Sequence, residues 1–158
     1  MASSLKIETY FDNYSTHHLN PVNKAIHWIC VPMIMFSLLG LIWLVPYPYS
    51  LSFHGYLNWA SFLIAFSVYY WFTLSPALSY AMIFVIALFA YLINVVNASF
   101  GHYAWAAYLI IFLAAWIGQF IGHKIEGKKP SFLQDLSYLL IGPLWLMHFI
   151  FQRIKLKY

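Results

Sequence analysis

Polar and hydrophobic positions are segregated along this chain rather than alternated. The first 19 residues are polar and include Lys6, Glu8, Asp12, His17 and His18, and no Asp, Glu, Lys or Arg occurs between Lys24 and Lys124. Inside that interval the apolar residues fall into runs long enough for membrane-crossing helices, which need about 20 such residues to traverse roughly 30 Å of hydrocarbon. Barrel strands would need a polar residue at every second position, a pattern the chain lacks.

The punctuation of the runs predicts their ends. Asn20 before Pro21 reads as a helix N-cap with proline at the first helical position, where its missing N–H costs nothing. A first span is expected over about 21–44, kinked near Val31-Pro32 and stopped by Pro46 and Pro48. A second covers about 53–74, Ser75-Pro76 breaks it, a third covers about 77–97, and a fourth runs over about 102–123. Pro130 and the Ser131…Gln134 spacing resemble a capping box opening a fifth segment, about 131–152, which Gly142-Pro143 interrupts. The expected fold is an all-α integral membrane bundle of about four transmembrane helices plus a broken re-entrant or interfacial C-terminal helix, one membrane-embedded domain over 1–158.

Composition and charge sharpen this reading. Hydrophobic residues make up 63% and charged residues 8% of the chain, whereas an ordinary soluble domain is about 25% charged. The net charge of +4 comes from the two ends, which disfavours nucleic acid as a partner and leaves the basic residues to membrane topology. Lys and Arg near span ends favour the cytoplasmic side. Four spans put Lys6, Lys24, Lys124, Lys128 and Lys129 on one face, while a full fifth crossing would carry Arg153, Lys155 and Lys157 to the other. The fifth segment is therefore expected not to cross, with both termini cytoplasmic. The first apolar run offers no small-residue cleavage site and three more follow it, so it reads as a span rather than a signal peptide. Short tails suit a bacterial inner membrane; in a eukaryote the endoplasmic reticulum would be expected, since Lys155-Leu156-Lys157-Tyr158 is one position away from a dilysine retrieval pattern. Cys30, the single cysteine, lies in the first run, excludes an internal disulfide and reads as packing.

Seven histidines in so apolar a chain require hydrogen bonds, solvent or a ligand. His17, His18 and His27 begin the first span and His123 ends the fourth, so all four belong near one face; His54 and His102 belong at the opposite side and read as interface or packing residues. His148 lies in the broken segment. Asn23 and His27 are i,i+4 on one helix face, as are Gln119 and His123, with Glu126 a further three residues on. Gly118 and Gly122 would let a neighbouring helix approach closely. Two or three imidazoles and a carboxylate at the mouth of a bundle suit a divalent metal, with imidazole favouring Fe, Zn, Cu or Ni. The same rings could instead sit singly as amphipathic anchors, and spacing leaves both readings open. Lys124, Lys128 and Lys129 are topology determinants or could steer an acidic head group; Asp135 is either helix-dipole support or an outer partner of the site.

The stretch from His18 through Asn20-Pro21, Asn23-Lys24 and His27 to Val31-Pro32 resembles the N-terminal signature of small multi-pass membrane proteins typified by the yeast endoplasmic-reticulum 2-hydroxy fatty acid dioxygenase. Gln119-Phe120-Ile121-Gly122-His123, with Glu126 and Lys128-Lys129-Pro130, resembles their second signature, and Gly142-Pro143 their C-terminal break. The middle spans match in hydropathy alone, and the long charged tail of the fungal member is missing. The resemblance implies an Fe(II)-dependent dioxygenase that uses O2 to shorten 2-hydroxy fatty acids by one carbon. It implies His18, His27 and His123 as ligands, with Glu126 or His148 next, and Asn23 and Gln119 orienting them. The acyl chain would lie among the helices, with its carboxylate towards Lys124, Lys128 and Lys129. A non-catalytic scaffold or lipid binder, or another metal-dependent lipid hydroxylase or hydrolase, is the alternative.

Overall fold

The computed structural model describes residues 2–15, 18–48, 57–127 and 139–157. Among these residues the chain folds as α1 (Ala2–Ser15), α2 (Pro21–Trp43), α3 (Trp59–Leu74), α4 (Pro76–Phe100), a 3-10 turn (Gly101–Tyr103), α5 (Ala104–Glu126) and α6 (Ile141–Arg153), with no strand among them. The expected capping segment at Pro130 and Ser131…Gln134 lies outside the described residues, as do His17, His54, Lys128, Lys129 and Asp135.

The helix ends follow local chemistry. Asn20 caps α2 by accepting from the Val22 amide at 2.9 Å, with Pro21 next in line. Asn58 and Ser61 form a reciprocal capping box on α3, and Ser75 closes α3 while capping α4 ahead of Pro76. Gly127 ends α5 at φ 74°, the left-handed conformation that glycine adopts without steric cost. Pro32 sits inside α2 without ending it. Gly142 and Pro143 stand in the first turn of α6, where proline's missing donor is one of the unsatisfied groups of any helix start.

The dominant contact is the antiparallel pairing of α2 with α5. Small residues permit it along its length: a side chain at Gly40 would run into the Tyr108 ring, one at Gly118 would meet Cys30 Sγ at 2.6 Å, and one at Gly122 would strike the Asn23 amide. Antiparallel packing brings the start of α2 to the end of α5. At the other end Gly101 turns the chain, and the Tyr108 hydroxyl donates to Asn97 Oδ1 at 2.9 Å and lies 3.1 Å from the Ile93 carbonyl, pinning α5 to α4.

An element absent from the sequence reading is α1. Its Ile7, Phe11 and Tyr14 are buried at i, i+4, i+7 spacing and join Trp71, Leu74, Leu144 and Trp145 in the largest core. The helix closes the polar end of the bundle and delivers the chain to His18. Two stretches are long and apolar enough to cross a membrane, Pro21–Trp43 and the 51-residue Pro76–Glu126 that α4, the turn and α5 make together; α3 is shorter, at 16 residues.

Candidate metal centre

Three imidazoles meet at the end of the bundle where α2 begins and α5 finishes. His18 lies in the link between α1 and α2, His27 on the second turn of α2, and His123 on the last turn of α5. All three are buried, at 3%, 2% and 7% exposure, and each offers a ring nitrogen such that all three atoms lie within 4.8 Å of one another. Ring centroids are 4.1 Å apart for His18 and His27, 5.2 Å for His27 and His123, and 5.7 Å for His18 and His123.

Hydrogen bonds fix two of the tautomers. His18 Nδ1 lies 2.7 Å from the Tyr14 carbonyl and His27 Nδ1 lies 2.9 Å from the Asn23 carbonyl. A carbonyl only accepts, so both Nδ1 atoms carry hydrogen, and a neutral ring then presents a bare lone pair at Nε2. Those two Nε2 atoms face each other at 2.8 Å. Two lone pairs at that distance repel unless a proton or a cation stands between them. The spacing fits adjacent ligands on one ion, because metal–nitrogen bonds of about 2.0–2.1 Å put neighbouring nitrogens about 3 Å apart at a right angle. Donation of the far ring nitrogen to a carbonyl is also what holds ligating histidines in place. The three buried histidines could therefore hold a metal ion.

The surroundings orient the rings. Tyr14 stacks on His18 with centroids 4.3 Å apart and planes 12° from parallel. The Trp145 ring sits 5.3 Å from His18, and its Nε1–H donates to Ser15 Oγ at 2.9 Å. Neither Tyr14 nor Trp145 was singled out in the sequence. A signal for Tyr14 was present, since 7, 11, 14 and 18 continue one helical stripe that ends on His18.

Glu126 has a different setting from the three rings. Its carboxylate accepts from the Leu19 amide at 2.8 Å, the Asn20 amide at 3.0 Å and Asn23 Nδ2 at 2.9 Å. It thus ties the end of α5 to the link that carries His18. Partial burial raises its pKa, but the Asn23 side-chain amide and the Asn20 and Leu19 backbone amides together hold it below the usual carboxylate range. Asn23 acts on His27 through its main-chain carbonyl, while its side-chain amide serves Glu126. Gln119 is buried and lines a cavity beside His27. His148 is not with the trio; it packs on Phe11, centroids 4.8 Å apart. His102 is exposed against Tyr103, and Lys124 is exposed on the last turn of α5.

An all-helical set of described residues with a buried tri-histidine cluster at one end of an apolar bundle defines a class of candidate metalloproteins. A family model described as 2-hydroxy-palmitic acid dioxygenase Mpo1-like matches residues 4–154, and the chain belongs to this Mpo1-like family. It is also similar to the 2-hydroxy-palmitic acid dioxygenase MPO1 of Saccharomyces cerevisiae, at 29% identity over 152 residues, 94% of this chain and 82% of that one. No solved structure matches.

Proposed function

We propose that this protein is an Fe(II)-dependent dioxygenase that converts a 2-hydroxy fatty acid into the fatty acid one carbon shorter. The family membership supports the reaction class. The observation that carries the metal is the pair of His18 and His27 lone pairs opposed at 2.8 Å beside His123. The reaction closes without an external reductant: a 2-hydroxy acid and O2 give the shortened acid, CO2 and water, with four electrons passing from the substrate's first two carbons to O2. Iron held by His18, His27 and His123 would supply the one-electron redox chemistry that O2 requires and no side chain provides.

The chain's own residues do the rest. The Tyr14 and Asn23 carbonyls keep hydrogen on the two Nδ1 atoms, so both Nε2 atoms stay available. Glu126 fixes the His18 link. Gln119, which lines the cavity beside His27, would hydrogen-bond the 2-hydroxy acid head. Lys124, with Lys128 and Lys129, would attract the substrate carboxylate, and Asp135 would serve as an outer partner.

The same reading places the protein in a bilayer as a four-span bundle of α2 to α5, with both termini on the cytoplasmic side. Support comes from the outward faces: Phe84, Leu88, Tyr91 and Val95 on α4 and Ile110, Leu113, Ile117 and Ile121 on α5 are all exposed at helical spacing. Apolar stripes of that extent suit lipid rather than water. At 13 residues, α6 is too short to cross.

The test is oxygen uptake by anaerobically purified, iron-loaded protein given 2-hydroxypalmitic acid. Formation of pentadecanoic acid with one O2 consumed per CO2 is expected; no uptake with this substrate and fully iron-loaded protein contradicts the assignment.

A further inference from the structure

Two cavities share one lining side chain, Leu139. The smaller, about 30 Å³, lies beside His27 and is walled by Tyr14, Val31, Ile34 and Gln119. The larger, about 140 Å³, lies among α2, α3 and α4, lined by Leu39, Leu63, Ile64, Ser67 and Ile86. Leu139 lines both. The first has the polar groups of the histidine end. The second is apolar in effect, because its two polar side chains point their hydrogens elsewhere: Ser67 Oγ donates to the Leu63 carbonyl at 2.8 Å and Trp71 Nε1 to the Leu140 carbonyl at 2.8 Å. The Trp71 bond also fixes the turn on which Leu139 stands.

One face of α2 runs past both cavities. His27, Val31 and Ile34 border the first, and Met35, Leu38 and Leu39 the second, a continuous stripe at helical spacing. From His27 to Leu39 is 12 residues, a rise of about 18 Å. Half of a bilayer's roughly 30 Å core is of similar depth, and that half is what one long acyl tail fills. A dry cavity of about 150 Å³ holds a benzene-sized hydrocarbon, so the larger cavity takes a section of chain. An amphiphile with a polar head and a long tail matches this sequence of surfaces.

We propose that the substrate's hydrocarbon tail runs from the histidine cluster past Leu139 into the apolar cavity among α2, α3 and α4, where Ser67, Leu63 and Leu39 set the chain length accepted. This rests on the 2-hydroxy acid reading for the head group; the tail's path stands on the cavities themselves. A bulky residue at Ser67 blocks the path midway. Hence Ser67→Phe lowers the ratio of kcat/KM for 2-hydroxypalmitic acid to that for 2-hydroxyoctanoic acid by about tenfold or more, the scale on which pocket size discriminates methylene groups. An unchanged ratio overturns the proposal.

A second measurement uses the unaltered full chain in detergent and needs no turnover. A 2-hydroxypalmitic acid analogue carrying a diazirine near its methyl end is photolysed with the protein, and the labelled residues are mapped by mass spectrometry. Label at Leu39, Leu63 or Ser67 is expected, and label confined to the outward residues Phe84, Tyr91 and Ile110 overturns the channel. If the interior label forms but no 2-hydroxy acid is oxidised, the channel holds and the reaction assignment fails.

Discussion

Glu126 on the last turn of α5 accepts a 2.9 Å hydrogen bond from the side-chain amide of Asn23 on the first turn of α2. The same carboxylate takes the Leu19 and Asn20 amides, so one side chain closes the two ends of the site and orders the backbone that follows His18. Glu126→Gln keeps the shape and removes the charge. We expect it to lower stability at neutral pH by about 1.5–3 kcal/mol, the range for a hydrogen bond to a charged group.

The pH dependence of that loss has a definite sign. A carboxylate with a lowered folded-state pKa contributes stability that is complete above the unfolded pKa and is lost as pH falls through the lowered value. The difference between wild type and Glu126→Gln should therefore be largest near neutrality and shrink in acid. Thermal unfolding in detergent across a pH series measures it; a gap that is constant with pH contradicts the clamp.

Gly118 and Cys30 define how closely α5 approaches α2, since a methyl group on Gly118 would meet Cys30 Sγ at 2.6 Å. Gly118→Ala should destabilise by about 1–3 kcal/mol, as overpacking does. Adding Cys30→Ala makes room and should recover most of the loss. Equal stability of the two Gly118→Ala chains, with and without the cysteine, would show that the clash lies elsewhere.

Trp145 touches the centre from one side, against Tyr14 and His18, and donates to Ser15. Trp145→Phe retains an aromatic ring and deletes the donor. Metal affinity should fall by about 10-fold to 100-fold, the usual effect of removing a group that orients ligands, and Ser15→Ala should reproduce it. Trp59→Phe, at the exposed start of α3, should leave affinity unchanged. Competition with a chelator of known affinity reads all three.

Metal removal should destabilise the fold, because it leaves the His18 and His27 lone pairs opposed without a cation between them. Stripping with a chelator should lower Tm, and Fe(II) added back should raise it in a concentration-dependent way. The His27→Ala chain should show no such response.

Much of the fold was readable because its helix ends are marked by residues with one strong local preference. Asn20-Pro21 and Ser75-Pro76 act through their own backbones and donors, and helices start there, at 21 and 76. The end of the helix at 104–126 lies three residues past the expected 123, at Gly127, whose left-handed turn was not read from the sequence. The helix at 59–74 lies within the expected 53–74. By contrast, α1 escaped notice because its apolar stripe is three residues in a polar stretch, and its partners, Trp71, Leu144 and Trp145, lie far away in the chain. Topology put His18, His27 and His123 near one face, because four spans return the chain to the side on which it began. That the rings share one cluster came only as an implication of the family resemblance, since spacing left single anchors open. Roles were harder to read than positions. A glutamate three residues after a histidine is chemically suited to a metal or to amide donors, and the donors at Leu19, Asn20 and Asn23 come from the opposite helix end. Tyr14 and Asn23 act on the rings through main-chain carbonyls, which side-chain spacing does not reveal.

The most direct measurement of the central claim is metal analysis of protein purified without oxygen and loaded with Fe(II), alongside His18→Ala, His27→Ala and His123→Ala chains shown to remain folded. One iron per wild-type chain, lost or greatly weakened in each variant, is the predicted result. Undiminished stoichiometric binding in any one of the three, or no binding by the wild type, would contradict a cation shared by these rings.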